Sequence, residues 1–196
     1  AYGAGDDVAV DCYFKKINAT TFVGYRISKS SFIKDQHIYF AAEISKPVNG
    51  LVLFRDSTRV NQLSEARGKD VKACLTFSTK KDEKILLKVS LSTANIDGAL
   101  AGLKEIKDWN FDVARQEAAD TWERELEKIT ITSEDENFKT VFYTALYHTY
   151  LAPIRIDDAL GRYRGTDKAT IMEGKNIYTI NSLWDTYRAA NPLLTI

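Results

Sequence analysis

Trp184, Asp185, Tyr187 and Arg188 stand together in the segment Asn181-Ser182-Leu183-Trp184-Asp185-Thr186-Tyr187-Arg188. A pyranose offers one apolar C–H face and a rim of hydroxyls. An indole covers the face, and a carboxylate accepts from two neighbouring hydroxyls at once. Asp185 can equally ligate a hard cation such as Ca²⁺. Arg188 lies three residues further on, close enough on a helix to hold that carboxylate in one orientation. The same residues also have a purely structural reading. Ser182-Leu183-Trp184-Asp185 is an S-x-x-D capping box, so Asp185 can simply finish a helix start while Trp184 packs in the core. Spacing alone leaves both readings open.

Other residues offer less. Asp157, Asp158 and Asp167 have the composition of a metal loop but not the regular spacing of a calcium hand, so turn-stabilising carboxylates are expected. His148 has no second His or Cys at ligand spacing and reads as structural; His37 opens a strand. Glu123, Glu125 and Glu127 alternate on a solvated helix and point in different directions. Tyr143, Tyr147 and Tyr150 on one helix are rim packing, with a sugar platform as the alternative. There is no G-x-S-x-G, no phosphate-binding loop and no dinucleotide fingerprint. Cys12 and Cys74 fall in different strand-like segments, and two free thiols are expected, with a disulfide as the alternative. Asn18-Ala19-Thr20 fits a glycosylation sequon, a match short enough to arise by chance.

Bulk properties narrow the class. Lys+Arg and Asp+Glu are 27 each, so the net charge is zero and nothing global favours nucleic acid or an anionic membrane. Hydrophobic residues are 44% and charged residues 28%, an ordinary globular balance. No apolar run approaches the roughly 20 residues of a membrane span. The chain opens Ala1-Tyr2-Gly3, with no Met and no signal-peptide pattern, so a processed start or an excised piece is expected.

The elements that must carry these residues change period once. In the first half, Ile38, Phe40, Ala42 and Ile44 alternate on one strand face. Val71, Ala73, Leu75 and Phe77 do the same, and Ile85, Leu87, Val89 and Leu91 repeat it against Lys84, Lys88 and Ser90. Thr20 to Ile27 and Leu51 to Phe54 also read as strands, and Asn49-Gly50 reads as a hairpin turn. Short strands with one wet face each predict an antiparallel sandwich.

After Thr93 the pattern turns helical. Ala94 to Lys107 predicts a short helix. Phe111 to Lys128 predicts a longer one, striped by Phe111, Ala114, Ala118, Trp122 and Leu126. Ile129 to Thr132 reads as a short strand. Ser133-Glu134-Asp135-Glu136 is a capping box opening a helix to about Tyr150, with Phe138, Val141, Phe142, Ala145, Leu146 and Thr149 as its core stripe. Pro153 ends it. Residues 155–175 read as a loop with hairpin pieces. A last helix is expected from near Ser182 to Pro192. The boundary between halves is placed near residue 108.

The segment Asn181 to Ile196 resembles the S-L-W-D-T-Y-R-A-x-H-P-L stretch of glycoside hydrolase family 92, the calcium-dependent α-mannosidases. Gly24-Tyr25-Arg26-Ile27-Ser28 and Tyr39 to Pro47 are similar to that family's sandwich strands. Phe142 to Thr149 is similar to its first barrel helix, and Gly161 to Asp167 to the loop that follows. These stretches run in collinear order from about residue 20 to the end. The resemblance implies a β-sandwich over 1–108, a helical linker over 109–128 and the first helices of an (α/α)₆ catalytic barrel over 129–196.

It also implies an exo-acting, inverting α-mannosidase, with α-1,2 linkage the default, acting on N-glycan or mannan with Ca²⁺. Inversion fits two carboxylates set wide enough apart to admit a water. Trp184 and Asp185 would line the terminal-sugar subsite, with Arg188 beside them. The general acid, the general base and most calcium ligands are expected outside these residues, so the stretch is expected not to catalyse alone. A bacterial periplasmic, outer-surface or secreted location is implied. Asn191 departs from the family's usual His before Pro-Leu, which puts that side chain's role in question. A trehalase-like barrel glucosidase and a non-catalytic sugar-binding module are the alternatives.

Overall fold

The computed structural model describes residues 7–31, 34–61, 64–167, 169–179 and 186–195. Contacts group the chain into two compact units. One holds the residues up to Trp109 together with Asp157–Asn176; the other holds Asn110–Ile156 and the residues from Ile177 onward.

In the first unit, β1 (Val8–Lys16), β2 (Thr21–Lys29), β3 (Gln36–Ile44), β6 (Glu65–Gly68) and β8 (Leu87–Ser92) form one antiparallel sheet in the order β6-β1-β2-β3-β8. β4 (Gly50–Arg55), β5 (Thr58–Val60) and β7 (Val71–Thr76) form a second, in the order β5-β4-β7. β4 packs on β6 and β1 on β7, which stacks the two sheets. Phe22 and Leu53 are fully buried, and Phe22 stacks on Phe14 at 5.7 Å. On the opposite face of the larger sheet, α1 (Ile96–Gly102) closes a small core of Val23, Ala41 and Ala99. A 3₁₀ turn (Leu103–Glu105) follows it.

Two strand expectations change. Asn49-Gly50 is not a hairpin turn, because β3 and β4 lie in different sheets. Asn49 instead serves the β4–β7 ladder: its amide donates to the Thr76 carbonyl (2.9 Å), and its side chain accepts from Ser78 N (2.7 Å). The tight hairpin is β4–β5, where Asp56 and Ser57 both take positive φ (48° and 69°). In β8 the alternation holds but the burial is reversed. Leu87, Val89 and Leu91 are 60%, 54% and 61% exposed, whereas Lys88 and Ser92 are buried. α1 packs over the polar face of β8, and the Lys88 ammonium donates to the Ile106 carbonyl at 2.9 Å beneath the Trp109 ring.

In the second unit, α2 (Phe111–Leu126) is capped by Asn110, whose side chain accepts from the amides of Asp112 and Val113. Residues 129–132 are not a strand. α3 (Glu136–Tyr150) ends where expected but starts differently: its cap is Asp135, which accepts from Asn137 N and Phe138 N. Ser133 only braces Asp135 N (3.1 Å). Asp135 already has extended backbone one residue before the helix, so its shorter reach wins. The buried stripe of α3 is rotated from the one expected. Phe142 and Leu146 turn inward, Lys139 and Tyr143 join them half-buried, and Phe138 and Val141 face outward. In α2, Phe111 and Ala118 are likewise exposed. A one-turn helix, α4 (Ala190–Leu193), runs through Pro192.

Candidate functional site

Trp184 and Asp185 lie outside the described residues, as does the Ser182 cap. Their described neighbours show part of the local arrangement. Thr186 is buried. Arg188 is exposed, and its Nε donates to the Tyr187 hydroxyl at 2.8 Å with the guanidinium 5.5 Å from that ring. An apolar cleft of about 290 Å³ lies between the end of α3 and α4, lined by Tyr150, Pro153, Tyr178, Ala190 and Leu193. Tyr143 and Tyr147 line a different groove beside α2, of about 560 Å³. Tyr147 meets Trp122 edge-on at 4.6 Å, and Tyr143 Oη accepts from Ile131 N (3.4 Å). The three tyrosines therefore do not form one platform.

Of the loop carboxylates, Asp158 and Asp167 brace their own turns, and Asp157 reaches across the loop. Asp167 accepts from Ala169 N, Thr170 N and the Thr170 hydroxyl, which holds its carboxyl below the ordinary carboxylate value. Asp157 accepts from Asn176 N (3.3 Å). Among the described residues, no three His, Cys, Asp or Glu side chains group as a metal site. The loop carboxylates Asp158 and Asp167 spend their oxygens on amides and hydroxyls and do not gather as a calcium site. His37 pairs with Asp35 at 2.7 Å, and the His148 ring lies against Tyr147 at 5.7 Å. Cys12 and Cys74 are free thiols, and burial pushes the Cys12 thiol pKa up.

Sequence reasoning missed a buried polar node. The Asp158 side chain is 1% exposed. Its Oδ2 accepts from Ser92 Oγ (2.9 Å), and its Oδ1 accepts from Leu160 N (2.9 Å) and Arg162 N (3.0 Å). Arg162 Nε is buried without a hydrogen-bond partner, 3.9 Å from Asp158 Oδ2, while its Nη2 donates to Asn95 Oδ1 (3.0 Å). Arg164 donates to the carbonyls of Thr93 and Ala94 and to Tyr39 Oη. The only hint in the sequence was two arginines following a paired aspartate.

A second polar cluster spans β1, β2 and β6. Arg67 grips Asp11 through two nitrogens (2.8–3.1 Å), and this bond lowers the Asp11 pKa. Tyr25 also donates to Asp11 (2.9 Å). The Tyr13 hydroxyl donates to Glu65 (2.7 Å); desolvation first, then that bond, push its pKa up to about 12.

Residues 98–196 match the model of the glycosyl hydrolase family 92 catalytic domain, and residues 2–92 match that of the family's N-terminal domain. The chain belongs to glycosyl hydrolase family 92. The family GH92 α-mannosidase BT3965 from Bacteroides thetaiotaomicron superposes with TM-score 0.90 at 35% identity, covering 96% of this chain and 26% of that one. The same enzyme in complex with mannoimidazole superposes with TM-score 0.89 at 34% identity and the same coverage. The inverting mannosidase BT2199 from Bacteroides thetaiotaomicron VPI-5482 shares the fold, with TM-score 0.80, 23% identity and coverage of 94% and 26%. The chain thus spans about a quarter of the length of these family 92 structures. No curated protein matches it. Its fold is the family's: a partial antiparallel sandwich, then a helical linker and the start of the (α/α)₆ barrel.

Proposed function

We propose that these residues are part of an exo-acting α-mannosidase that releases terminal mannose from N-glycan or mannan, with inversion and with α-1,2 linkage preferred. One observation carries the reading: collinear matches to both family domains, together with 35% identity to a solved α-mannosidase. The N-terminal-domain match over residues 2–92 weighs against a trehalase-like barrel enzyme, which lacks this sandwich. In the proposed enzyme, Trp184 stacks on the apolar face of the terminal sugar and Asp185 accepts from its vicinal hydroxyls. Arg188, tied to Tyr187, belongs to the same proposed subsite. These residues bind; they are not the acid–base pair. Calcium is part of the proposal through the family alone, with its ligands outside the described residues. A periplasmic, outer-surface or secreted bacterial location belongs to the same proposal.

The test is release of mannose from α-1,2-mannobiose by the full-length enzyme, with the first-formed anomer read by NMR. The β-anomer is expected, because inversion of an α-linkage yields it. Chelation should abolish turnover and Ca²⁺ should restore it. Trp184→Ala should lower kcat/KM by roughly 30-fold or more, the loss typical of a buried aromatic contact. Release of glucose from α-glucosides, with no mannose from α-mannosides, would overturn the reading.

A further inference from the structure

Residues 157–176 lie within the stretch matching the catalytic-domain model, yet they pack with the sandwich unit. This excursion is pinched shut at its base by pairing inside the second unit. Ile156 N donates to the Ile177 carbonyl (2.8 Å), Thr179 N donates to the Ile154 carbonyl (2.8 Å), and Arg155 bridges Tyr178. β9 (Arg162–Arg164) and β10 (Ile171–Glu173) then form its hairpin.

The far anchorage lies in the turn between β8 and α1. Ser92, Thr93, Ala94 and Asn95 supply the partners for Asp158, Arg162 and Arg164. Asn95 does two things at once: its Oδ1 caps α1 at Gly98 N (3.0 Å) and accepts from Arg162. A Cβ at residue 98 would fall 1.8 Å from Asp158 Oδ2, so the helix has been brought in until only glycine fits.

Two aspartates in this excursion allow an internal comparison. Asp167 stabilises its turn while exposed, which is all a loop requires. Asp158 makes similar bonds to amides of its own turn, but it is buried, and its hydroxyl donor is the distant Ser92 where Asp167 uses Thr170 of its own turn. Burying a carboxylate is costly unless every lone pair is answered, and a turn alone does not demand it. We propose that the excursion is an intramolecular latch. A hairpin within the stretch matching the catalytic-domain model locks into the β8–α1 turn of the sandwich unit through the Asp158 carboxylate.

Hydrogen–deuterium exchange on the full-length enzyme tests this, and needs no activity. In Asp158→Ala, peptides covering 157–176 and 92–98 should exchange roughly tenfold faster or more, as for a segment that has lost its lock. The base pairing at 154–156 and 177–179 should stay protected, because its bonds lie in the other unit. Asp167→Ala should leave 92–98 unchanged. If Asp158→Ala does not fold, Ser92→Ala removes the sandwich-side donor along with the acceptor for Ala94 N and Asn95 N, so its readout is 157–176, which should exchange faster, though less so than in Asp158→Ala. Wild-type exchange at 157–176 in whichever variant folds would overturn the latch. So would equal acceleration at 92–98 in Asp167→Ala.

Discussion

Phe22 in β2 and Phe138 in α3 are the same side chain in two settings: 2% and 54% exposed. The sandwich unit also buries Leu53 and Ala66 and, under α1, Val23 and Ala41. In the helical unit, Leu146 is the buried hydrophobic residue among those described, while Phe111, Val113 and Val141 stand open. A strand must borrow its hydrogen bonds from a neighbour, so forming the sheet already brings side chains together. A helix completes its backbone bonds within itself and can stand with its apolar stripe unanswered. Regular secondary structure is therefore a weaker sign of a closed core in the helical unit than in the sandwich.

The largest expected effect separates the two regions directly. In the 196-residue chain, Phe22→Ala should cost about 3–5 kcal/mol of unfolding free energy. Phe138→Ala should cost less than about 0.5 kcal/mol, as an exposed site does. Denaturant melts of both variants check this, and equal losses would break the comparison.

Next comes Gly98→Ala. It forces a methyl against the Asp158 carboxylate and should cost about 1–3 kcal/mol, as overpacking does. An unchanged thermal midpoint would show that the helix can back away.

Cap removal sharpens the helical side. Asp135→Ala should lose about 1 kcal/mol, and Ser133→Ala clearly less, because only Asp135 serves the first free amides of α3. The reverse order would restore Ser133 as the cap.

The smallest effects are electrostatic and lie on the sandwich. Tyr13 should stay protonated until about pH 12. Its folded value is raised, so its contribution is whole below the free tyrosine value and is lost as pH rises through about 12. Glu65→Gln should bring the titration back down, as read by ultraviolet absorbance. Asp11 has the opposite sign. Arg67 lowers its pKa, so its contribution is present above the ordinary carboxylate value and is lost as pH falls through the lowered one. NMR titration of Arg67→Ala should move the Asp11 value upward.

Much of this was legible along the chain, for local reasons. Period-two alternation marked β3, β7 and β8, and helical spacing marked α2 and α3 to within a few residues. The loop with hairpin pieces is where it was expected, and its Asp167 braces a turn, whereas Asp157 reaches across to Asn176. Side-chain type in the W-D-T-Y-R segment offered sugar chemistry with a helix cap as the alternative, and Trp184 and Asp185 lie outside the described residues. The segment's collinear companions pointed to the family that the comparisons then showed.

Tertiary structure alone decided which face counts as inside. Alternation shows that Leu87, Val89 and Leu91 share a face, but only the placement of α1 leaves that face open and buries Lys88 and Ser92. Periodicity places the stripe of α3 only to within a residue, and its packing turned it toward Lys139 and Tyr143. Asn49-Gly50 looked like a hairpin because turn propensity is local, whereas the choice of sheet for β4 is not. The Asp158 node joins residues 66 and 67 positions apart. Propensity, capping and periodicity act within a turn or two of chain; burial is set by whatever the fold brings from far away, and a single sequence does not display that.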